Sequence, residues 1–169
     1  MAGEKWTFGI KSLKSGIPGA LAAMGTTLTE NGETLKGSAT LETSEETINW
    51  VETEEKGKRK PLNQNDGETL LTFEIANPSL EIMAMYCGGT VSVGPPKSYS
   101  PPKTKDAINR SFMIETKEGF NIEIPFGGVN ATPLGGAIGS DSVMTLKVVV
   151  TAQLPEAANV GHISYKEKV

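Results

Sequence analysis

The sequence has 169 residues, 37% of them hydrophobic and 21% charged, which suits one domain with a substantial core. Its net charge of −4 argues against a free nucleic-acid-binding domain, and its single cysteine excludes an intramolecular disulfide. No apolar run approaches about 20 residues, so no membrane span is predicted. The N-terminus lacks the apolar core of a signal peptide, so we expect a protein made and kept in a cytoplasm. Nineteen glycines and ten prolines indicate the many turns of an all-β fold.

Four strands are predicted in the first third of the chain, over residues 5–10, 23–30, 34–43 and 45–54. Segment 12–20 is broken by glycine and proline and is predicted to be a connection. Asn31-Gly32 is the strongest two-residue signal for a hairpin between the second and third strands. In the fourth segment Ile48 and Trp50 favour a strand over a helix, because β-branched and aromatic residues fit a pleated surface.

Residues 55–67 are nearly all polar, and they are predicted to form a long loop that is functional or disordered. Its basic residues are Lys56, Lys58, Arg59 and Lys60, and they directly follow Glu52, Glu54 and Glu55. Three interpretations stay open: a solvated loop, a patch that contacts phosphate, or a charged block that contacts another subunit. The adjacent opposite charges suit a head-to-tail contact between copies.

Residues 68–93 are predicted to form a strand, a short helix and a second strand. The strand, over 68–76, has one apolar face, made of Leu71, Phe73 and Ile75. Asn77 is predicted to cap a helix over 79–87, and Gly88-Gly89 is predicted to end it. Because so short a helix is marginal alone in water, it must pack against a sheet.

The proline-rich segment 94–107 is predicted to be an extended connection, or an arm laid over a neighbour, and not a strand. Further strands are predicted over 109–116, 120–126 and 141–154, with a glycine-rich loop over 127–140. Residues 156–169 are predicted to be a flexible tail. The result is a single domain over 1–169 with seven to ten strands and one short helix.

No pattern in the sequence predicts catalysis, a cofactor or a metal. His162 is the only histidine, and it is predicted to lie on the surface with no second ligand nearby. Cys87 lies on the apolar stripe of the helix and is predicted to be a buried hydrophobic residue, not a nucleophile. The glycine pairs lack the lysine and hydroxyl of a phosphate loop. A pair of glycosidase carboxylates among the many glutamates stays open as a remote alternative.

The order of these segments resembles that of the major tail tube proteins of long-tailed bacteriophages, over roughly residues 8–155. The segments that carry the resemblance are GIKS, GTTLTENGETLKGSATLETSEETINWVETEE, TLLTFEIANPSLEIMAMYCGGTV and FNIEIPFGGVNATPLGGAIGSDSVMTLKVVVTAQLP. The resemblance implies an all-β subunit, sandwich or barrel-like, with a helix packed on a sheet. It also implies six-fold rings that stack into a tube for DNA ejection, with strands joined between subunits and an often acidic lumen. Residues 54–67 would be the stacking loop and 94–107 a second contact.

We therefore expect a virion structural protein of a phage or prophage, made in the bacterial cytoplasm and located in the virion tail. Its expected partners are copies of itself and other tail proteins, with DNA passing non-specifically. The candidate subunit contacts are Glu54, Glu55, Lys56, Lys58, Arg59, Lys60, Tyr99 and Lys103. The alternatives are the inner tube of a contractile injection machine and a monomeric adhesin-like or carbohydrate-binding β-sandwich. A small enzyme ranks last because no nucleophile–base pair is visible.

Overall fold

The computed structural model describes residues 6–65 and 67–168, without the side chains of Arg59 and residues 62–65. This part of the chain contains twelve strands and one α-helix, so the prediction of an all-β fold with one short helix is confirmed. The elements are β1 (Phe8–Gly16), β2 (Leu28–Glu30), β3 (Thr40–Thr43), β4 (Thr47–Thr53), β5 (Gly57–Asn65), β6 (Thr69–Ile75), α1 (Leu80–Cys87), β7 (Thr90–Ser92), β8 (Ser98–Ser100), β9 (Ile108–Glu118), β10 (Phe120–Gly135), β11 (Thr145–Ala152) and β12 (Ser164–Glu167).

Eight of the strands form one sheet in the order β2-β1-β9-β10-β11-β6-β3, and β12 pairs with the first part of β10. All pairings in this sheet are antiparallel. Strands β4 and β5 form a separate two-stranded sheet, and β7 and β8 form another. The main sheet therefore ends in two short edge strands, β2 and β3.

The core is built where α1 packs on the main sheet. Phe73 of β6, Tyr86 of α1 and Phe112 of β9 are fully buried, with ring centroids 6.2–6.3 Å apart. Two of these ring pairs are edge-to-face, an arrangement that aromatic quadrupoles favour. The buried face predicted for residues 68–76 is confirmed, since Leu71 and Ile75 are each 1% exposed.

The residue that caps the start of the helix differs from the one predicted. Ser79 is the N-cap, and its hydroxyl accepts a hydrogen bond from the Ile82 N–H at 3.2 Å. Asn77 instead accepts a bond from the Glu33 N–H at 2.8 Å, which ties the helix entry to a distant loop. The predicted glycine stop is confirmed, because Gly88 and Gly89 have φ of 75° and 95°.

The first part of the chain differs from the prediction in two ways. Strand β1 runs on through the segment predicted as a connection, and Leu13 and Ser15 within it are buried. Asn31-Gly32 does not close a hairpin, because β2 pairs with β1 whereas β3 pairs with β6. Asn31 is 1% exposed and accepts a hydrogen bond from the Ser15 hydroxyl at 2.8 Å. This long-range burial outweighs the local turn preference.

The last part of the chain is more regular than predicted. Strand β10 continues to Gly135 through the segment expected to be a loop. Its glycines fit close packing, because a Cβ at Gly127 would collide with the side chain of Val150 on the neighbouring strand. Strand β12, which lies within the predicted flexible tail, pairs with residues Phe120 to Glu123 of β10. The twelve strands exceed the predicted seven to ten, because polar segments such as β12 also form strand pairs.

Candidate assembly surfaces

The β4–β5 hairpin, formed by β4, β5 and the turn at residues 54–56, is a strand pair of its own. Its two strands pair with each other and belong to no other sheet of the described chain. The prediction of a strand for β4 is confirmed, but the prediction of a loop over 55–67 is wrong, because Gly57–Asn65 forms β5. Strand β5 lies outside the main sheet, and its sequence lacks the apolar alternation that marks a strand.

The predicted charged contacts lie at the end of the β4–β5 hairpin. Glu54, Glu55 and Lys56 form the turn, and Lys58 and Lys60 follow on β5; all five are exposed. Glu52 stands opposite Lys58 in the strand register, which places opposite charges side by side. The backbone of Arg59 lies in β5, but its side chain is outside the described part of the structure.

One face of the β4–β5 hairpin is apolar, although it lies outside the core. Ile48 and Trp50 project to the same side of β4, and each is about 40% exposed. Pro61 stands opposite Trp50 on β5 and is exposed as well. We call Ile48, Trp50 and Pro61 the hairpin strip. An isolated two-stranded hairpin is at best marginally stable in water, and the hairpin strip is apolar surface that the described residues leave partly exposed.

The proline-rich segment 94–107 is attached to its own subunit. The Tyr99 hydroxyl donates to the Gly88 carbonyl oxygen at 2.8 Å, and Tyr99 packs against the core. Lys97 pairs with Glu81 of α1 at 3.2 Å, and the Lys105 ammonium donates to the Ala131 carbonyl oxygen at 2.8 Å. Burial raises the pKa of Tyr99. The prediction that this segment contains no strand is wrong, because Ser98–Ser100 forms β8.

These contacts separate the predicted contact residues into two groups. Tyr99 serves the fold of its own subunit, since its hydroxyl closes on the end of α1. Lys103 is exposed on the same segment and remains available. The charged residues of the β4–β5 hairpin lie in a different sheet from Tyr99. The structure therefore does not join the predicted residues into one site.

A groove that sequence reasoning missed runs along one margin of the main sheet. It measures about 870 Å³ and lies between the first part of β1 and the segment 30–41. Its apolar lining includes Ile10, Leu35, Leu41, Leu71, Ile114 and Ile122. Its three basic lining residues are Lys11, Lys36 and Lys117. We call this the edge groove. The residues that form its two walls are far apart in the sequence. The groove can therefore be recognised only once the strand pairing, including that of β3 with β6, is known.

A second missed feature is a charged patch on β1, β9, β10 and β12. Lys14 pairs with Glu115 at 2.6 Å, and Lys166 pairs with Glu123 at 2.7 Å. The hydrogen bond from Lys14 lowers the pKa of Glu115, and the same bond raises the pKa of Lys14. Glu123 is 5% exposed, so Lys166 neutralises a buried carboxylate. The pairs cross-link strands that are neighbours in the sheet.

The remaining candidates have structural environments. Cys87 is buried as predicted, and burial raises the pKa of its thiol. His162 is half-buried instead of fully exposed. Within residues 6–65 and 67–168, no three His, Cys, Asp or Glu side chains are grouped as a metal site would need. Four of the ten aromatic residues are exposed, namely Trp6, Phe8, Trp50 and Tyr165.

The comparisons with known proteins add no family assignment. No protein-family model matches the chain, and no curated protein matches it significantly. Over the described residues, no helix has both the length and the apolar character needed to span a membrane.

Proposed function

We propose that this protein is the tail tube subunit of a long-tailed bacteriophage or prophage. Copies of the chain form rings, and the rings stack into the tube through which DNA is ejected. The subunit works without catalysis or a cofactor. It is made in the bacterial cytoplasm and resides in the virion tail, in contact with its own copies and with other tail proteins.

The β4–β5 hairpin is the observation that carries this proposal. It is a separate two-stranded sheet whose turn carries Glu54, Glu55 and Lys56 and whose strip exposes Ile48 and Trp50. A charged tip beside an apolar face is the composition of a contact with a polar rim and an apolar centre. Each copy carries the same hairpin, so a contact made by it repeats from copy to copy.

Two further features support assembly. The main sheet ends in β2 and β3, whose outer edges leave backbone groups open to pairing with another chain. The net charge of −4 suits a wall that DNA passes without sticking, because like charges repel. Ring closure uses such open edges in a heterologous contact.

Two alternatives remain. The inner tube of a contractile injection machine would use the same subunit and the same contacts, and a micrograph of the native particle distinguishes it by the surrounding sheath. A monomeric binding domain is favoured by one observation, the exposed Trp6 and Phe8, since exposed aromatic rings are typical of carbohydrate contacts. That alternative predicts a monomer at every concentration.

The test is assembly of the purified protein, followed by light scattering and negative-stain microscopy. We expect rings or tubes at high concentration, and only monomers across salt and concentration would contradict the proposal. The matched variant replaces residues 47–65 with a short Gly-Ser linker. Ser44 and Glu68 close the base of the hairpin with hydrogen bonds of 2.9 and 2.7 Å, so the excision leaves that closure in place.

For the excision variant we expect a folded subunit that forms no tubes, with β-sheet circular dichroism reduced only by the loss of β4 and β5. Tubes of normal length from this variant would exclude the hairpin from stacking.

A further inference from the structure

We infer that the edge groove binds the hairpin strip of a second copy of this chain. This inference rests on the proposed function and makes it specific, because it names the two surfaces that meet when one subunit stacks on the next. Both surfaces are present on every copy, so the contact is heterologous and propagates along a tube.

The backbone beside the edge groove supports strand addition. Strand β2 covers only Lys14, Ser15 and Gly16 of β1, so the described chain supplies no strand partner on that side between Phe8 and Ser12. Across the groove, β3 pairs with β6 on one side and is the last strand of the sheet. An extended segment that enters between them can use these free backbone groups, as peptides do when they add to a sheet edge.

The apolar side chains of the two surfaces are complementary. The groove is lined by the partly exposed Ile10, Leu35 and Leu41 beneath an opening of about 870 Å³, within the size range of ligand-binding clefts. The hairpin strip offers Trp50 and Ile48, each about 40% exposed. A tryptophan is a strong anchor for such a contact, because aromatic side chains bury about 150–250 Å² each.

The charges around the two surfaces also match. Lys11, Lys36 and Lys117 line the groove and outnumber its glutamates, Glu30 and Glu33. The hairpin strip adjoins Glu52 on the same face of β4, and the turn adds Glu54 and Glu55. Lysines against glutamates would fix the direction in which the hairpin enters. Lys56, Lys58 and Lys60 lie on the same hairpin, so the groups complementary to the groove lysines are the individual glutamates and not the net charge of the hairpin. A second copy supplies both these glutamates and the apolar strip, so we assign the groove to it.

The inference is tested with one variant on each surface. Leu35→Asp alters the groove, where Leu35 is 39% exposed and its backbone N–H donates to Glu74, a bond that the substitution leaves in place. Trp50→Asp alters the strip. Val143→Asp is the matched control, because Val143 is 63% exposed and does not line the groove. Circular dichroism and a thermal melt establish that each variant is folded.

We expect that neither groove nor strip variant forms tubes alone, whereas the control does. A mixture of the two then restores a single productive contact, between the intact groove of Trp50→Asp and the intact strip of Leu35→Asp. Light scattering should show complexes of twice the size of either variant alone, with no further growth.

Tubes from Leu35→Asp, or no complex in the mixture, would overturn the groove as the acceptor. If the wild type still forms tubes when the groove is overturned, the proposed function stands. If the wild type does not assemble at all, the proposed function and the inference about the groove are both overturned. If Leu35→Asp is unfolded, the double charge reversal Lys36→Glu and Lys117→Glu replaces it. We then expect at least a tenfold loss of assembly that is smaller at high salt; unchanged assembly would overturn the inference.

Discussion

The aromatic core and the β4–β5 hairpin use the same residue types in opposite ways. Phe73, Tyr86 and Phe112 are fully buried and hold β6, α1 and β9 together. Trp50 and Ile48 are equally apolar but lie on a strand pair outside the main sheet. Burial of apolar area stabilises the fold in the first case, whereas in the second our proposal assigns it to an intermolecular contact. Stability and assembly should therefore be separable by mutation.

The largest expected effect is in the core. Phe73→Ala removes a side chain that is 0% exposed, so we expect a loss of about 3–5 kcal/mol in the free energy of unfolding. Trp50→Ala should cost the isolated subunit less, about 1 kcal/mol, because Trp50 is 41% exposed and lies outside the core. Urea denaturation measures both values, with the subunits held below the concentration of assembly.

Under conditions where both variants are folded, tube assembly should be impaired more by Trp50→Ala than by Phe73→Ala, the reverse of their order in stability loss. Trp50→Ala should assemble poorly although it is stable. Equal losses of unfolding free energy in Phe73→Ala and Trp50→Ala would mean that the hairpin packs on its own subunit. Stability and assembly would then not be separable by mutation.

A smaller effect is expected at the polar centre of the core. The Ser15 hydroxyl accepts hydrogen bonds from the Tyr86 hydroxyl at 2.9 Å and from Arg110 at 3.3 Å, and donates to Asn31 at 2.8 Å. Ser15→Ala leaves the buried Tyr86 hydroxyl without this partner, so we expect a loss of about 1–3 kcal/mol in the free energy of unfolding. Urea denaturation is the measurement, and tube assembly of the folded variant should be unchanged.

Ser140→Ala is the control, because Ser140 is exposed and lies in a turn. A cost below about 0.5 kcal/mol for Ser15→Ala would mean that solvent replaces the lost bonds.

The same contrast explains what the sequence could predict. Residues 68–76 alternate because one face meets the core, so the strand and its buried residues were predictable. Strands β5 and β12 were not predictable, because neither sequence shows the hydrophobic alternation of a strand with one buried face. Asn31-Gly32 misled because its local turn preference lost to a buried hydrogen bond with Ser15, which is 16 residues away. Such long-range bonds cannot be inferred from neighbouring residues.

The candidate surfaces divide in a similar way. The charges of 54–60 were visible as a cluster in the sequence, and the structure places those it describes on one hairpin. Tyr99 was predicted as a subunit contact on a linker or arm between two proline pairs, and the structure adds a hydrogen bond within its own chain that the sequence did not indicate. Its hydroxyl reaches Gly88 only because Gly88 and Gly89 end α1 with positive φ. The edge groove needed the full strand order, since its walls come from β1 and from the segment 30–41.

The smallest expected effect is a dependence of stability on pH at the Lys14–Glu115 pair, on the main sheet and away from the hairpin. Lys14 holds the pKa of Glu115 below its usual value in the folded state. A carboxyl with a depressed folded pKa contributes stability above its unfolded pKa, and this contribution is lost as the pH falls through the folded value. The pair is partly exposed, so we expect a contribution of less than about 1 kcal/mol.

The variant Glu115→Gln should therefore lose less stability than the wild type between about pH 5 and pH 3, measured by urea denaturation at each pH. Glu118→Gln is the control, because Glu118 is exposed at the turn that follows β9 and forms no ion pair with another described residue. A pH profile of Glu115→Gln that is parallel to the wild type would show that the pair adds nothing.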